Sequence, residues 1–431
     1  MTVTAQSSAP PAVRTGLLDH FRAVRSLTNE LCAPLSAEDY VIQSAPECSP
    51  AKWHLAHTTW FFENFLLGPL LPGYRSFHPQ YGYLFNSYYE TVGTFFPRAM
   101  RGLLSRPTVE EVYRYRAHVD EHMIRLFELL DPQRDADALA RVTLGLHHEQ
   151  QHQELLLTDL KNLLALNPLR PAYRAAAPER TQPPAVQWLE YPAGMYAIGS
   201  QSPASQDGGF AGADFAFDNE TPRHRVFLER FAIASRPVSN SEYTEFMRAG
   251  GYRNAALWLS DGWRKVQDAG WSAPLYWQQV EGEWWHMTLN GFQPVDPGAP
   301  TCHVSYYEAD AFARWSGKRL PSEQEWEAAA SALPIEGNFL DGRRLQPSGA
   351  TNASHQFFGD VWEWTSSSYS PYPGFRPLPG SLGEYNGKFM VSQLVLRGGS
   401  CVTPRSHIRP TYRNFFYPPD RWQFMGLRLA R

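Results

Sequence analysis

The 431-residue chain has no uninterrupted run of about 18 apolar residues. A membrane-spanning helix is therefore not expected. Lysine and arginine form no basic run, and the formal net charge is −4 with a pI near 6.4. That charge pattern gives no electrostatic footprint for nucleic acid or for an anionic membrane surface. The opening MTVTAQSSAPPAV lacks the charged start and apolar core of a secretory leader. Cysteine is scarce: Cys32, Cys48, Cys302 and Cys401 have no CxxC spacing, so reduced thiols in a cytoplasm are expected rather than a disulfide framework. What remains is a chain long enough for two or three domains with cores of their own, whose expected partners are small molecules.

The fold class reads as α+β, and the chain changes character near residue 168. Before it, apolar residues recur at helical spacing over 12–34, 50–68, 108–130 and 136–166, the third opening with the capping box Thr108-Val109-Glu110-Glu111. Residues 1–170 are thus expected to form a four-helix bundle. The last helix should stop at Asn167-Pro168, and the Pro-, Ala- and Arg-rich stretch 171–184 reads as a linker. Residues 185–431 show short β-like runs broken by Gly, Pro, Asn and Asp, with two helices near 239–249 and 306–316. Inside the bundle, 77–107 is a long connection of the kind that is normally functional. It carries Tyr88, Tyr89, Arg98 and Arg101.

Histidine spacing carries the chemistry. His148 and His152 lie four residues apart on one helix, hence on one face. His57 sits on a second helix whose start is marked by Ser49-Pro50. Three neutral imidazoles leave positions of an octahedral ion open for substrate and oxygen. An isolated histidine pair is more often structural, and His118 with His122 repeats the same spacing. The run His148-Glu149-Gln150-Gln151-His152 also matches a zinc-hydrolase helix in which the glutamate is the general base. Glu149, however, is rotated about 100° from its neighbour around the helix, which suits a polar contact between helices.

Five segments in order resemble the formylglycine-generating-enzyme/sulfatase-modifying domain, a C-type-lectin-like architecture. They are Pro237-Val238-Ser239-Asn240-Ser241-Glu242-Tyr243, Gly317 to Glu327, Gly359-Asp360-Val361-Trp362-Glu363-Trp364-Thr365, Leu396-Arg397-Gly398-Gly399-Ser400 and Gly426-Leu427-Arg428. The first half resembles the DinB-like bundle, with Leu55-Ala56-His57 and His148 to His152 at that superfamily's metal histidines. The two together, across nearly the whole chain, are similar to the ergothioneine-biosynthetic sulfoxide synthases. That resemblance implies an iron(II) enzyme that uses dioxygen to join the thiol of cysteine or γ-glutamylcysteine to the imidazole C2 of hercynine, and oxidises the sulfur. A true formylglycine-generating oxidase is the rival, but its cysteine pair after Arg-Gly-Gly-Ser is reduced here to Cys401.

The resemblance implies further roles. Gln151 is expected to contact hercynine. Asn414, Phe415 and Phe416 are expected to hold its trimethylammonium, which cannot donate a hydrogen bond and favours aromatic faces. Actinobacterial members read Arg-Asn-Trp-Asp at this stretch, so the carboxylate is lost here. They also carry a tyrosine in the loop after Trp-Glu-Trp, whereas the corresponding 373–389 aligns poorly and is shorter. Tyr88 and Tyr89 are therefore the expected proton donors. A Tyr-Tyr pair resembles a second branch of the family and tilts the sulfur donor towards cysteine. Arg98 and Arg101 are expected to grip the carboxylate of the thiol substrate.

Overall fold

The computed structural model describes residues 10–201, 215–350 and 355–431. The chain folds into two compact units, neither of them one continuous stretch. The first gathers Met1–Asp159 with Ser202–Asp218 and Arg376–Tyr385; the second gathers Leu160–Gln201, Asn219–Phe375 and Asn386–Arg431.

Four long helices build the first unit: Pro10–Cys32, Ala51–Phe62, Val109–Leu129 and Ala136–Leu166, the last running on beyond Asp159. At the third, Thr108 accepts the Glu111 N–H while the Glu111 carboxylate takes the Thr108 N–H, so orphan amides of the first turn find partners. The second helix starts differently from expectation. Pro50, not Ser49, is its N-cap and supplies no side-chain acceptor, and the Ser49 N–H instead donates to Asp159 at 2.8 Å. Every residue of Ala51–Phe62 is buried, so packing on all sides, not an amphipathic stripe, holds this helix. Gly145 sets its distance from the fourth helix: a Cβ there would lie 2.8 Å from the Phe62 ring and 2.9 Å from the Phe61 ring. Any larger residue would push the two histidine-bearing helices apart. Beyond Phe62 the helix widens into a π turn, Glu63–Leu67. Buried Glu63 accepts hydrogen bonds from Tyr74 (2.6 Å), Tyr115 (2.5 Å) and the Phe77 N–H (3.0 Å).

The second unit is made of short strands and helices. Its largest sheet orders Asn414–Phe416, Leu394–Arg397, Trp362–Ser368 and Met425–Leu427, with antiparallel pairing until a parallel final pair. Two expected helices form, Asn240–Arg248 and Tyr306–Trp315, each opened by a Ser/Glu capping box. Two more helices escape the sequence reading. Ser260–Ala269 buries only Gly262 and Val266, too few to mark a face. Glu323–Ala330 has eight residues, about two turns, so periodicity cannot develop. The family-like segments prove to be structural staples. Arg428 grips Glu363 through Nε (2.7 Å) and its other arm (2.6 Å), and the Trp326 indole donates to the same carboxylate at 2.7 Å. Arg397 reaches Glu323 (3.0 Å) and Glu327 (2.9 Å), while Arg413 pairs with Glu323 at 2.8 Å. Buried charges persist only when paired and hydrogen-bonded, so the motifs specify one another. The stretch expected as a linker is pinned along this unit by Arg174 N–H to Leu289 O (3.0 Å) and Thr181 N–H to Asp296 (2.7 Å). None of the four cysteines forms a disulfide, and all are buried.

Candidate metal centre

In the first unit His57, His148 and His152 offer ligand nitrogens that all lie within 4.8 Å of one another. The Nε2 atoms of His57 and His148 are 3.2 Å apart. Burial drives all three imidazoles towards the neutral form, His148 down to about 3 and the other two well below the ordinary value. The scaffold also chooses the nitrogen at His57. Its Nδ1–H donates to the Phe85 carbonyl at 2.6 Å, leaving Nε2 bare. The ring is sandwiched between Trp53 (4.4 Å, 14°) and Trp60 (5.6 Å, 13°). The Arg101 guanidinium lies 3.4 Å over Trp53 on the far side. Buried neutral imidazoles with a converging lone pair and no carboxylate in the cluster suit a borderline divalent ion that keeps open positions. Iron(II) fits this donor set. His118 and His122 pack together with rings 4.2 Å apart, and His122 Nδ1 donates to the His118 carbonyl at 2.8 Å. Among the described residues no third ligand joins them.

Glu149 turns away from this cluster. It is fully buried, pairs with Arg25 at 2.9 Å and Arg116 at 2.5 Å, and accepts the Thr28 hydroxyl at 2.6 Å. Burial alone would raise its pKa, but the two arginines override it and hold the carboxyl at about 2. A carboxylate so engaged cannot serve as the general base of a zinc hydrolase, which removes that reading. It is instead a keystone between helices. Glu149→Gln is expected to cost about 3–5 kcal/mol in denaturant melts, the range for breaking a buried pair. Because the folded pKa lies below the ordinary 4.5, this stabilisation is complete above about pH 4.5 and fades as pH falls towards 2. The Gln variant should lose that part of the wild-type acid dependence.

The segment Arg376–Tyr385 brings a residue that the sequence reading passed over. The 373–389 loop was expected to lack a useful tyrosine, yet the Tyr385 ring packs 5.7 Å from His148 at 73° and stacks on Phe217 at 5.4 Å. Its hydroxyl donates to Gln151 Oε1. The preceding Glu384 anchors it by accepting the Glu90 and Thr91 N–H groups, each at 3.0 Å. Only fold geometry could reveal this, since Tyr385 stands more than 230 residues from Gln151. Tyr88 meets the Tyr385 ring edge at 6.3 Å and the Tyr89 ring at 4.7 Å. Tyr89 is fully buried against Trp60 and Phe65, and burial raises both phenols. Arg101 is also buried, bonded to Ser49 (3.0 Å) and Ser87 (3.1 Å), with an unpartnered Nε. Burial and then Arg98 push its pKa well down, the mark of an under-compensated cation. Arg98 is exposed and donates to the Glu47 carbonyl.

In the second unit Asn414, Phe415 and Phe416 form one short strand. Successive strand side chains point to opposite faces, and the rings have different neighbours: Phe415 stacks on Tyr369 at 4.0 Å, Phe416 meets Trp422 at 5.8 Å. The expected two-phenylalanine cage is therefore split. Asn414 Oδ1 accepts the Phe415 N–H at 3.0 Å.

Comparison with known proteins is consistent along the chain. Residues 20–156 match the DinB superfamily, and 174–356 with 354–431 match the sulfatase-modifying factor enzyme 1-like domain. The hercynine oxygenase of Mycolicibacterium thermoresistibile is 33% identical, covering 90% of this chain and 88% of its own. That of Mycobacterium tuberculosis is 32% identical over 90% and 92%. The formylglycine-generating enzyme of Bos taurus is 27% identical over 58% of this chain and 76% of its own. Bundle, second domain and their order are thus shared with whole enzymes, and the chain belongs to the hercynine oxygenase family.

Proposed function

We propose that this enzyme is an iron(II)- and dioxygen-dependent sulfoxide synthase of ergothioneine biosynthesis. It couples hercynine, at imidazole C2, to the thiol of cysteine or γ-glutamylcysteine. One oxygen atom goes to sulfur; the other leaves as water with the two hydrogens removed from C2 and the thiol. The observation that carries the reading is the neutral, carboxylate-free histidine triad in a chain of this family. Iron(II) held there would supply coordination positions for thiolate and dioxygen and a path by which the four electrons given up by the two substrates reach dioxygen.

The chain's own residues do the rest. His57, His148 and His152 hold the ion through Nε2. Gln151 orients hercynine, its Oε1 already accepting the Tyr385 hydroxyl. Tyr385 is assigned the proton at its Oη ahead of Tyr88 and Tyr89, which stand behind it. Arg101, lacking a carboxylate among the described ion pairs, awaits the substrate's carboxylate, with Arg98 three residues before it in the chain. Taken by itself, the strand of the second unit presents aromatic faces of the kind that suit a trimethylammonium, Phe416 with Asn414 on one side and Phe415 with Tyr369 on the other. Of the two thiols, the Tyr-Tyr pair tilts the reading towards cysteine.

The test is anaerobic reconstitution with iron(II), followed by dioxygen with hercynine and each thiol. A product with the summed mass of both substrates, less two hydrogens and plus one oxygen, is expected, more rapidly with cysteine. Absence of any coupled sulfoxide with either thiol would sink the proposal.

A further inference from the structure

His57 owes its tautomer to a backbone carbonyl; His152 has no such contact, and another device stands in its place. Asp159 Oδ2 accepts the Ser49 N–H at 2.8 Å and lies 3.1 Å from His54 Nε2. His54 Nδ1 in turn lies 2.8 Å from His152 Nδ1. His54 precedes His57 by three residues on the Ala51–Phe62 helix, and Asp159 follows His152 by two turns on the Ala136–Leu166 helix. The chain of contacts thus runs between the same two helices that carry the triad. His54 is nearly fully buried, at 3% exposure, and Asp159 is at 6%.

One assignment of hydrogens satisfies both contacts with each imidazole neutral. An ionised carboxylate only accepts, so the His54 Nε2 facing it carries hydrogen. A neutral His54 then has a bare Nδ1. Two imidazole nitrogens 2.8 Å apart can bond only if one carries hydrogen, so His152 Nδ1 must donate. His152 Nε2 is left bare and available to the cluster.

We propose that Asp159 and His54 form a two-membered tautomer lock that positions His152 as an Nε2 metal ligand. Both are positioning residues, and the Ser49 N–H fixes the orientation of Asp159. Ordinary metal-bound histidines donate directly to a carboxylate or carbonyl; here a second imidazole is inserted between the ligand and its carboxylate. His148 has no counterpart, its Nδ1 being buried without a partner. The purpose of the lock rests on the metal reading above, but its existence does not.

The test separates the two. Nitrogen-15 NMR of histidine-labelled, metal-free protein should show His152 protonated at Nδ1, with the signal assigned by comparison with His152→Gln. His54→Phe, which keeps the Ser49–Asp159 bond, and Asp159→Leu should each shift His152 towards the Nε2–H form. Asp159→Asn, able to present one carbonyl oxygen to both donors, should retain the wild-type tautomer. In parallel, cobalt(II) titration should show about 10- to 100-fold weaker binding in His54→Phe and Asp159→Leu, and near-wild-type binding in Asp159→Asn. A merely structural role would lower the melting temperature without moving the tautomer. Finding Nε2–H in the wild type, or an unchanged tautomer in both disruptive variants, overturns the lock. A tautomer that moves in a protein binding no cobalt would leave the lock standing and overturn the metal reading.

Discussion

His148→Ala and His152→Ala are each expected to reduce bound iron from near one per chain to near zero, with turnover lost alongside. The reason is geometric. Three nitrogens within 4.8 Å define the site, and two imidazoles without the third leave a weak chelate. Far-ultraviolet circular dichroism should stay close to wild type, because the bundle is held by its apolar packing, such as Phe21 against Phe62 (5.2 Å) and Phe127 (5.9 Å), and by the Glu149 ion pairs. His118→Ala and His122→Ala serve as controls. They share the four-residue spacing but not the third ligand, so iron content should remain near stoichiometric. Full occupancy in the His152→Ala protein, measured after anaerobic loading and desalting, would refute the assignment.

Tyr385→Phe is expected to separate substrate binding from bond formation. Its ring packs on His148 and its hydroxyl is hydrogen-bonded to Gln151. Loss of the phenolic hydrogen should therefore slow coupling by about 10²- to 10⁴-fold, the usual worth of a positioned proton donor. The thiol should then be oxidised to sulfinate without joining hercynine, while hercynine affinity changes little. Tyr88→Phe should have a smaller effect, since the Tyr88 ring meets the rings of Tyr89 and Tyr385. Tyr89→Phe should alter mainly packing, because that ring is buried beside Trp60 and Phe65. The sulfoxide-to-sulfinate ratio, measured by mass for all three variants, decides the matter. An unchanged ratio in Tyr385→Phe together with a collapse in Tyr88→Phe would return the role to the bundle connection.

What could be read from the chain followed the range of the forces involved. Helix periodicity and the Thr108 capping box are local, and the Ala136–Leu166 helix forms over the span its pattern gives. The i, i+4 histidines are equally local. His57 was a candidate partner from its own helix start and from family likeness, and in the structure their union depends on Gly145, whose missing side chain lets the helices close. Residues that act across long stretches of sequence left no such trace. Arg25 is 124 residues from Glu149 and Tyr385 is 234 from Gln151; only the folded chain juxtaposes them. His54 was in plain view beside His57, but a histidine's role depends on what faces its nitrogens, and Asp159 is 105 residues away. The Phe415-Phe416 pair shows a limit of another kind: adjacency in sequence does not tell that the strand's pleat gives the two rings different neighbours.

The stack of Arg101, Trp53, His57 and Trp60 has a consequence for how the centre is loaded. An imidazole clamped between two indoles has little freedom to swing, so its rotational entropy is lost during folding and not when an ion arrives. Capture should then resemble docking into a finished mould, with affinity undiminished by ring ordering and selectivity set by which ions tolerate the spacing already on offer. The same rigidity acts in the other direction. With His57 unable to retreat, its bare nitrogen is held against His148 whether or not a cation separates them. At 3.2 Å the two Nε2 atoms are within hydrogen-bond reach with one hydrogen between them, which an arriving ion displaces, and the loaded protein is the more stable one through mass action.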